Sequence, residues 1–342
     1  MAKNLYVGTD NGVFLLGLQN GEWTVQSQSF KEWQVHALGV HPAAPDRLIV
    51  TTRGDGVWLT EDRGGHWRKP SYGRPGPQKV RSLAFDPGDD RRIFAGCEPI
   101  EVCVSDDLGA SWQRLDAVRR LPCIAELDYP VWTVEPHVRD IAIDPRNAGV
   151  VYAALQVGGI IKTTDGGGTW THLTEGFDDD VHTIVLDSSD PDVVVIATGG
   201  GESHKAAVPG RALYRSADGG ASWAPLAMQW QQDYSMPLVS NPHDPRVYYS
   251  AVAHGAPPTW SRPGGSEALL VRSRDHGATW EALDSGLGSP AHEFPKGIAF
   301  DPEDPATVYV ALDSGILTSR DGGDTWQKQD LRLPRVYDLK CV

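Results

Sequence analysis

Short apolar runs, each closed by turn-forming residues, recur along the whole sequence. The run V-H-A-L-G-V-H-P from Val35 aligns without gaps with V-R-S-L-A-F-D-P from Val80 and V-R-D-I-A-I-D-P from Val138. Weaker copies begin at Val181, Met236 and Lys296. A second apolar run follows, as in V-V-Y-A-A-L or T-V-Y-V-A-L, and a third begins close to a glycine. Such runs predict β-strands, and their repetition predicts a fold built from similar antiparallel sheets.

A repeated phrase follows the third strand of each unit and connects it to a fourth. Its pattern is S/T-x-D-x-G-x-S/T-W, and copies begin at Thr60, Ser105, Thr163, Ser216, Ser273 and Ser319, with only His66 departing from the pattern. The aspartate can accept hydrogen bonds from backbone N–H groups of its own turn, and the hydroxyl groups can do so more weakly. The glycine permits a backbone conformation that a Cβ would disfavour. We therefore interpret the phrase as a structural turn and expect no catalytic role for its aspartates.

The phrase resembles the Asp-box, also called the BNR repeat, of sialidase-like β-propellers. This resemblance implies an all-β propeller whose blades each contain four antiparallel strands. The sequence starts with three strands that lack a first strand, and it ends with R-V-Y-D-L-K-C-V from Arg335, which matches the first-strand phrase. We predict that this C-terminal strand completes the N-terminal blade, which gives a single domain of seven blades. The blades are expected at residues 335–342 with 4–25, then 35–69, 80–115, 138–173, 181–226, 236–283 and 296–328.

Charge and targeting signals narrow the range of partners. The chain has 342 residues and a formal net charge of −14, which disfavours nucleic acid and acidic membrane surfaces as partners. No apolar run is long enough to cross a bilayer, and the first residues lack the apolar stretch of a secretory signal. We therefore expect no membrane partner and a cytoplasmic location. The 4 cysteines lack the spacing of zinc ligands, so we expect free thiols.

The aligned repeats also predict a candidate binding site. In a propeller, the second residue of each first strand lies at the mouth of the axial pocket, on the face opposite the repeated turns. This position holds His36, Arg81, Arg139, His182, Met236, Lys296 and Tyr337. The ends of the second strands add Asp10, Arg53, Glu98, Gln156, His254 and Asp313. Local cations in an acidic protein predict an anionic ligand, either a small molecule or an acidic peptide segment. The expected contacts are His36, Arg53, Arg81, Arg139, His182, His254, Lys296 and Tyr337.

Two functions remain open from the sequence. The first is a binding or assembly module without turnover, as in the photosystem II stability and assembly factors that the chain resembles. The second is a hydrolase or lyase that acts on an anionic or sugar-like substrate. Glu98 or His182 would then serve as general base, with Tyr337 as a further catalytic candidate. Arg81 and Arg139 would clamp the anion. Sialidases have six blades and xyloglucanase-like members need two propellers, whereas a single seven-bladed propeller is predicted here.

No cofactor is predicted, and a divalent metal is kept only as an alternative. His182, His204 and His254 come from neighbouring predicted blades and could form a metal centre with Glu202. The glycine-rich run from Gly199 lacks the spacing of a phosphate-binding loop. The metal alternative therefore depends on whether the three histidines converge.

Overall fold

The computed structural model describes residues 3–127, 134–200, 211–226, 229–284, 286 and 292–342. Within these residues the strands form seven antiparallel sheets, six with four strands and one with three. The fold is therefore the seven-bladed β-propeller that the repeats predict. Helical structure in the described ranges is limited to α1 (Pro122–Glu126) and two 3-10 turns, Val118–Arg120 and Pro257–Ser261. No helix in these ranges has the length and apolar character needed to cross a membrane.

The chain divides into two compact units. The first, the four-blade unit, comprises Met1–Leu173, Tyr337–Lys340 and Val342. The second, the three-blade unit, comprises Thr174–Val336 and Cys341.

The strands of the four-blade unit follow one another as consecutive antiparallel sheets. In chain order they are β1 (Asn4–Thr9), β2 (Gly12–Gln19), β3 (Glu22–Ser29), β4 (Val35–Val40), β5 (Leu48–Thr52), β6 (Gly56–Thr60), β7 (Val80–Asp86), β8 (Asp89–Cys97), β9 (Val102–Ser105), β10 (Gln113–Arg114), β11 (Val138–Ile143), β12 (Val151–Leu155), β13 (Ile160–Thr163) and β14 (Thr171–Leu173). The sheet β4-β5-β6 has three strands, and an isolated bridge between Leu59 and Arg68 stands where a fourth strand would pair.

The three-blade unit repeats the same strand order. Its strands are β15 (Val181–Leu186), β16 (Val194–Thr198), β17 (Leu213–Ser216), β18 (Ala224–Pro225), β19 (Tyr234–Asn241), β20 (Asp244–Ala253), β21 (Leu269–Ser273), β22 (Glu281–Leu283), β23 (Gly297–Phe300), β24 (Val308–Leu312), β25 (Gly315–Ser319) and β26 (Gln327–Asp330). The last strand of the chain, β27 (Val336–Cys341), belongs to a sheet that begins at the N-terminus.

The composite blade predicted from the two chain ends is confirmed. The first sheet has the order β27-β1-β2-β3, so the C-terminal strand takes the place of a missing first strand. Asn4 and Val342 exchange two backbone hydrogen bonds, N–H to O=C, of 3.0 and 2.9 Å. The edge of β1 is thereby paired, which removes a site for non-specific strand addition.

The repeated turns have the local geometry expected of structural turns. In the copy at Ser273, the carboxylate of Asp275 accepts hydrogen bonds from the backbone N–H and the hydroxyl of Thr279, at 2.8 and 2.6 Å. The Gly277 N–H donates to the Ser273 hydroxyl at 3.0 Å, and Trp280 Nε1 donates to the Gly277 carbonyl at 3.0 Å. Gly277 has a φ of +75°, a region that glycine adopts without a Cβ penalty. The aspartate is therefore engaged within its own turn.

The second strands form the most buried layer of each unit. Every residue of β5, β12, β16 and β24 is buried. A strand in the middle of a sheet that is covered on both faces has no solvent side, so it reads as a continuous apolar run. Polar residues directly follow three of these strands, namely Arg53 after β5, Gln156 after β12 and Asp313 after β24. Arg53 belongs to the candidate site described next.

Candidate functional site

A backbone irregularity positions several of the residues that the sequence places at the pocket mouth. In four first strands, the pairing with the second strand skips one residue: it passes from Val35 to Ala37, Val80 to Ser82, Val138 to Asp140 and Val181 to Thr183. The skipped residues are His36, Arg81, Arg139 and His182. Such a β-bulge takes a residue out of the ladder and redirects its side chain. The second position of the first-strand phrase is thus a repeated bulge.

Glu98 lies at the centre of a charged cluster in the four-blade unit. It directly follows β8, and only 1% of its side chain is exposed. Its carboxylate binds Arg53, through Nε at 3.0 Å and Nη2 at 2.8 Å, and Arg81, through Nε at 2.7 Å. Burial alone would raise the pKa of Glu98, but the hydrogen bonds and charges of the two arginines outweigh it and lower the pKa to about 2. Glu98 is therefore ionised at neutral pH.

Arg81 is the buried arginine of this cluster, with 9% of its side chain exposed. Besides the bond from Nε, its Nη2 lies 2.6 Å from Glu98 Oε2, and its Nη1 lies 2.9 Å from His36 Nε2. The same Nη1 lies 3.3 Å from the other ring nitrogen of His36, Nδ1. All three nitrogens of Arg81 are engaged. Arg81 therefore holds Glu98 and His36 together in the interior of the cluster.

Arg53 is the more exposed arginine, with 25% of its side chain accessible. It binds Glu98 through its Nε–Nη2 edge, and its backbone N–H donates to the Gln34 carbonyl at 3.0 Å. Among the described residues, no side chain or carbonyl bonds to Arg53 Nη1. A guanidinium can bind two carboxylates along different edges because its five N–H groups point outward in one plane. The second edge of Arg53 is available to a ligand.

Asp10 and Tyr337 lie beside the arginine cluster. The Tyr337 hydroxyl donates to Asp10 Oδ1, and Gln34 Nε2 donates to the same oxygen at 3.1 Å. The rings of His36 and Tyr337 have centroids 4.1 Å apart and an interplanar angle of 31°. His36 in turn contacts Arg81, so these residues form one continuous polar strip. We call Asp10, Gln34, His36, Arg53, Arg81, Glu98 and Tyr337 the Glu98 cluster.

His137 is a buried histidine on which the charges of the Glu98 cluster act. It is buried, and its Nδ1 lies 3.0 Å from the Glu135 carbonyl. Burial lowers the pKa of His137 to about 3, and the charges of Arg81 and Arg139 add to the decrease. The pKa of Arg81 is also lowered, first by burial and then by Arg53 and Arg139, although Glu98 opposes the change. Burial is thus the main cause of both decreases, and neighbouring arginines add a smaller contribution to each.

Three of the expected ligand contacts, His182, His254 and Lys296, fall in the three-blade unit. His182 is buried, with Nδ1 at 2.9 Å from the Ser235 carbonyl and Nε2 at 3.1 Å from Asp180 Oδ2. Lys296 directly precedes β23 and its Nζ binds Asp313 at 2.5 Å. His254 donates its backbone N–H to the Ser266 carbonyl at 2.9 Å. His182 and Lys296 are thus each next to a carboxylate of their own unit.

The metal alternative finds no support in the part of the chain that the structure describes. Within these ranges, no group of three or more His, Cys, Asp or Glu side chains could hold a metal ion. His204 and Glu202 lie outside the described residues. No disulfide joins the four cysteines, all of which lie in the described ranges; Cys97 and Cys103 are buried, and Cys123 and Cys341 are partly exposed.

Two contributors to this region were not predicted from the sequence: Gln34 and His137. Each stands one position before a first-strand phrase, as does Asp180 in the three-blade unit. Gln34 contacts His36, and Asp180 contacts His182, so this position places a polar group beside the bulged side chain. The repeat alignment contains this signal as a polar residue one position before the first-strand phrase.

Comparison with known proteins identifies the fold and distant relatives. No family model matches the chain. A probable oligoxyloglucan-reducing end-specific xyloglucanase of Neosartorya fischeri is 24% identical over 346 residues, which cover 84% of this chain and 39% of the relative. A xyloglucanase of Paenibacillus sp is 28% identical over 223 residues, which cover 55% of this chain and 20% of that protein. The chain therefore spans less than half the length of these curated relatives.

Solved structures give the same class of fold. The GH74 enzyme of Niastella koreensis aligns with a TM-score of 0.65 and 16% identity, over 96% of this chain and 47% of that chain. A structure of YCF48 bound to D1 peptide aligns with a TM-score of 0.53 and 18% identity, over 86% of this chain and 82% of that chain. These similarities place the chain among seven-bladed β-propellers with structural neighbours in GH74 and YCF48.

Proposed function

We propose that the chain is a binding module whose Glu98 cluster recognises an anionic ligand, a small molecule or an acidic segment, through Arg53. The observation that supports this proposal is that two arginines bind the same carboxylate but differ in exposure and in how many of their nitrogens are engaged. Arg81 is buried with all its nitrogens engaged, whereas Arg53 is partly exposed and keeps one edge open. Glu98 fixes the plane of both guanidinium groups, which reduces the entropy lost when a carboxylate docks.

The surrounding charges support the same proposal. Burial is the main cause of the lowered pKa of His137 and of Arg81, but the charges of neighbouring arginines add to both decreases, and these charges would also attract an anion at short range. Because the chain has a net charge of −14, anions are repelled at longer range, and binding must depend on local contacts. A planar carboxylate suits the open edge of Arg53 because two parallel N–H donors match its two oxygens.

Calorimetric titration with a panel of carboxylates, and with inorganic phosphate for comparison, tests the proposal. Arg53→Lys should weaken carboxylate binding by about 1.5–3 kcal/mol, the scale of hydrogen bonds to a charged group. The matched control is Arg47→Lys. Arg47 directly precedes β5, whereas Arg53 directly follows it. The Arg47 side chain is 29% exposed and pairs with Glu61 at 2.9 Å. Equal losses in the two variants, or no carboxylate binding to the wild-type chain, would contradict the proposal.

Glycoside hydrolysis is the second candidate, and the curated relatives named as xyloglucanases favour it. The geometry of the catalytic candidates argues for binding instead. Glu98 is a weak general base, because its pKa is lowered to about 2 and both of its carboxylate oxygens already bind arginine. Both ring nitrogens of His182 face oxygen acceptors. Tyr337 uses its hydroxyl to bind Asp10.

A reducing-sugar assay on xyloglucan and its oligosaccharides separates the two functions. The binding proposal expects no turnover by the wild-type chain. Turnover that Glu98→Gln abolishes and Arg47→Lys retains, in variants with unchanged circular dichroism, would establish the hydrolase instead. This assay does not depend on whether the ligand of Arg53 has been identified.

A further inference from the structure

Asp10 has an oxygen that its neighbours leave open. Oδ1 accepts both the Tyr337 hydroxyl and Gln34 Nε2. Among the described residues, no donor bonds to Oδ2. The residue is only partly buried, so a ligand can reach this oxygen. Because two donors fix the carboxylate through one oxygen, the orientation of the other oxygen is set before any ligand arrives.

Asp10 and Arg53 lie on two sides of one residue, Gln34. The Gln34 side chain binds Asp10, and the Gln34 carbonyl accepts the backbone N–H of Arg53. The pKa of Arg53 is raised mainly by its hydrogen bond to Glu98, and the Tyr337 phenol adds to the rise, which indicates that this phenol also lies near the guanidinium. Asp10 and Arg53 make no ion pair with each other in the described structure. Gln34 therefore links the two residues through its side chain and its backbone, and their opposite charges do not neutralise each other.

The stacked rings of His36 and Tyr337 lie along the same strip. A ring face offers apolar contact to a short hydrocarbon spacer, while the two charged ends of the strip bind the spacer's termini. A ligand with two negative ends would meet repulsion from Asp10. A ligand with one negative end and no cationic group would leave Oδ2 of Asp10 without a positive charge. The strip is therefore complementary to opposite charges at the two ends of one molecule.

We infer that the Glu98 cluster takes a zwitterionic ligand, with a carboxylate on the open edge of Arg53 and an alkylammonium group on Asp10 Oδ2. This inference rests on the proposed function, since it uses Arg53 as the carboxylate contact. It adds the requirement for a cationic group and assigns that group to Asp10. Glu135 is the other acid whose charge acts on Arg53; it is 55% exposed and pairs with Lys79 at 3.1 Å, so its charge is already balanced.

Titration with matched aliphatic probes tests the inference. The probes are 6-aminohexanoate, hexanoate and adipate, followed by shorter and longer ω-amino acids to find the best spacer. The best ω-amino acid should bind about five- to tenfold more tightly than the alkanoate of equal length, the scale of one partly exposed ion pair. The dicarboxylate should bind more weakly than the alkanoate because of Asp10.

Asp10→Asn should abolish the preference for the ω-amino acid over the alkanoate, since the amide carries no charge, while its oxygen can still accept from Tyr337 and Gln34 and so keeps the local structure. The control is Asp55→Asn. Asp55 lies two positions beyond Arg53 and is 30% exposed, but it already pairs with Lys69 at 2.7 Å, so the preference should persist.

The outcomes distinguish this inference from the proposed function. If the alkanoate binds and depends on Arg53, but the ω-amino acid binds no better, the zwitterion inference is wrong and the anion site stands. If neither binds the wild-type chain, the proposed function fails as well. The comparison of probes on the wild-type chain needs no variant, so it remains decisive even if Asp10→Asn does not fold.

Discussion

The Tyr337 hydroxyl donates a hydrogen bond to Asp10, although 327 positions separate the two residues in the sequence. The contact is possible because β27 occupies the first-strand position beside β1 in the same sheet. The two chain ends therefore complete one blade and also contribute neighbouring residues to the Glu98 cluster. Closure of the blade and assembly of the site depend on the same strand.

Deletion of Val336–Val342 should destabilise the chain strongly. It removes β27, exposes the hydrogen-bonding edge of β1 and separates Asp10 from its phenol donor. We expect aggregation or a large fall in Tm in a thermal melt. Tyr337→Phe is the control, because it retains the strand and loses only the hydroxyl, at a cost of about 1 kcal/mol. A truncated chain that melts like the full chain would contradict the composite blade.

Asp275→Ala should lower the free energy of unfolding by about 1–3 kcal/mol, because the N–H and hydroxyl groups of Thr279 and the Ser273 hydroxyl lose their acceptor. Urea denaturation measures this change. Glu303→Ala, at an exposed position, should change stability by less than about 0.5 kcal/mol. Neither substitution should alter carboxylate affinity. Loss of binding in Asp275→Ala protein that remains folded would show that the repeated turn has more than a structural role.

His137 should make the chain less stable as the pH falls below about 6.5, the ordinary pKa of histidine. The folded state holds the pKa near 3, so only the unfolded state gains the proton between these values. The stabilisation is present above pH 6.5 and declines by up to about 1.4 kcal/mol per pH unit as the pH falls.

Urea denaturation at a series of pH values measures this decline. His137→Gln should flatten the curve over that range. His41→Gln should retain the decline due to His137, although burial lowers the pKa of His41 as well. If His137→Gln has the wild-type pH profile, His137 does not have the buried, neutral state described above.

Arg81→Lys should mainly reduce stability, whereas Arg53→Lys should mainly reduce carboxylate affinity. Arg81 is buried and holds Glu98 and His36 together, and lysine cannot reproduce its planar fork, so we expect a loss of about 2–4 kcal/mol in stability. Arg53 is more exposed, so its replacement should cost about 1 kcal/mol or less in stability and should mainly weaken carboxylate binding.

Paired denaturation and binding measurements on the two variants test this division. A greater loss of stability in Arg53→Lys than in Arg81→Lys would contradict it. The repeat alignment does not distinguish Arg53 from Arg81 as ligand contacts, and it predicts Arg81 together with Arg139 as the anion clamp. The geometry favours Arg53 as the ligand contact because it is more exposed and has an open edge.

The sequence by itself determined the repeat, the strands and the blade count, because these depend on periodic patterns that each segment contains locally. The apolar runs, the turn at each S/T-x-D-x-G-x-S/T-W phrase and the match of Arg335–Val342 to the first-strand phrase were sufficient for the composite blade. Equivalent positions in the repeats also placed His36, Arg81 and Arg139 on corresponding strands. Local pattern is informative here because each blade folds by the same rules.

Only the tertiary structure decided which of these side chains hold the cluster together and which is open to a ligand. The bulges arise from strand pairing, and the shared bond of Arg53 and Arg81 to Glu98 joins residues from different blades. Burial then sets which arginine supports the cluster and which is open to a ligand, and it keeps His137 neutral. Charge interactions and hydrogen bonds depend on distances in space, and a one-dimensional pattern does not contain those distances.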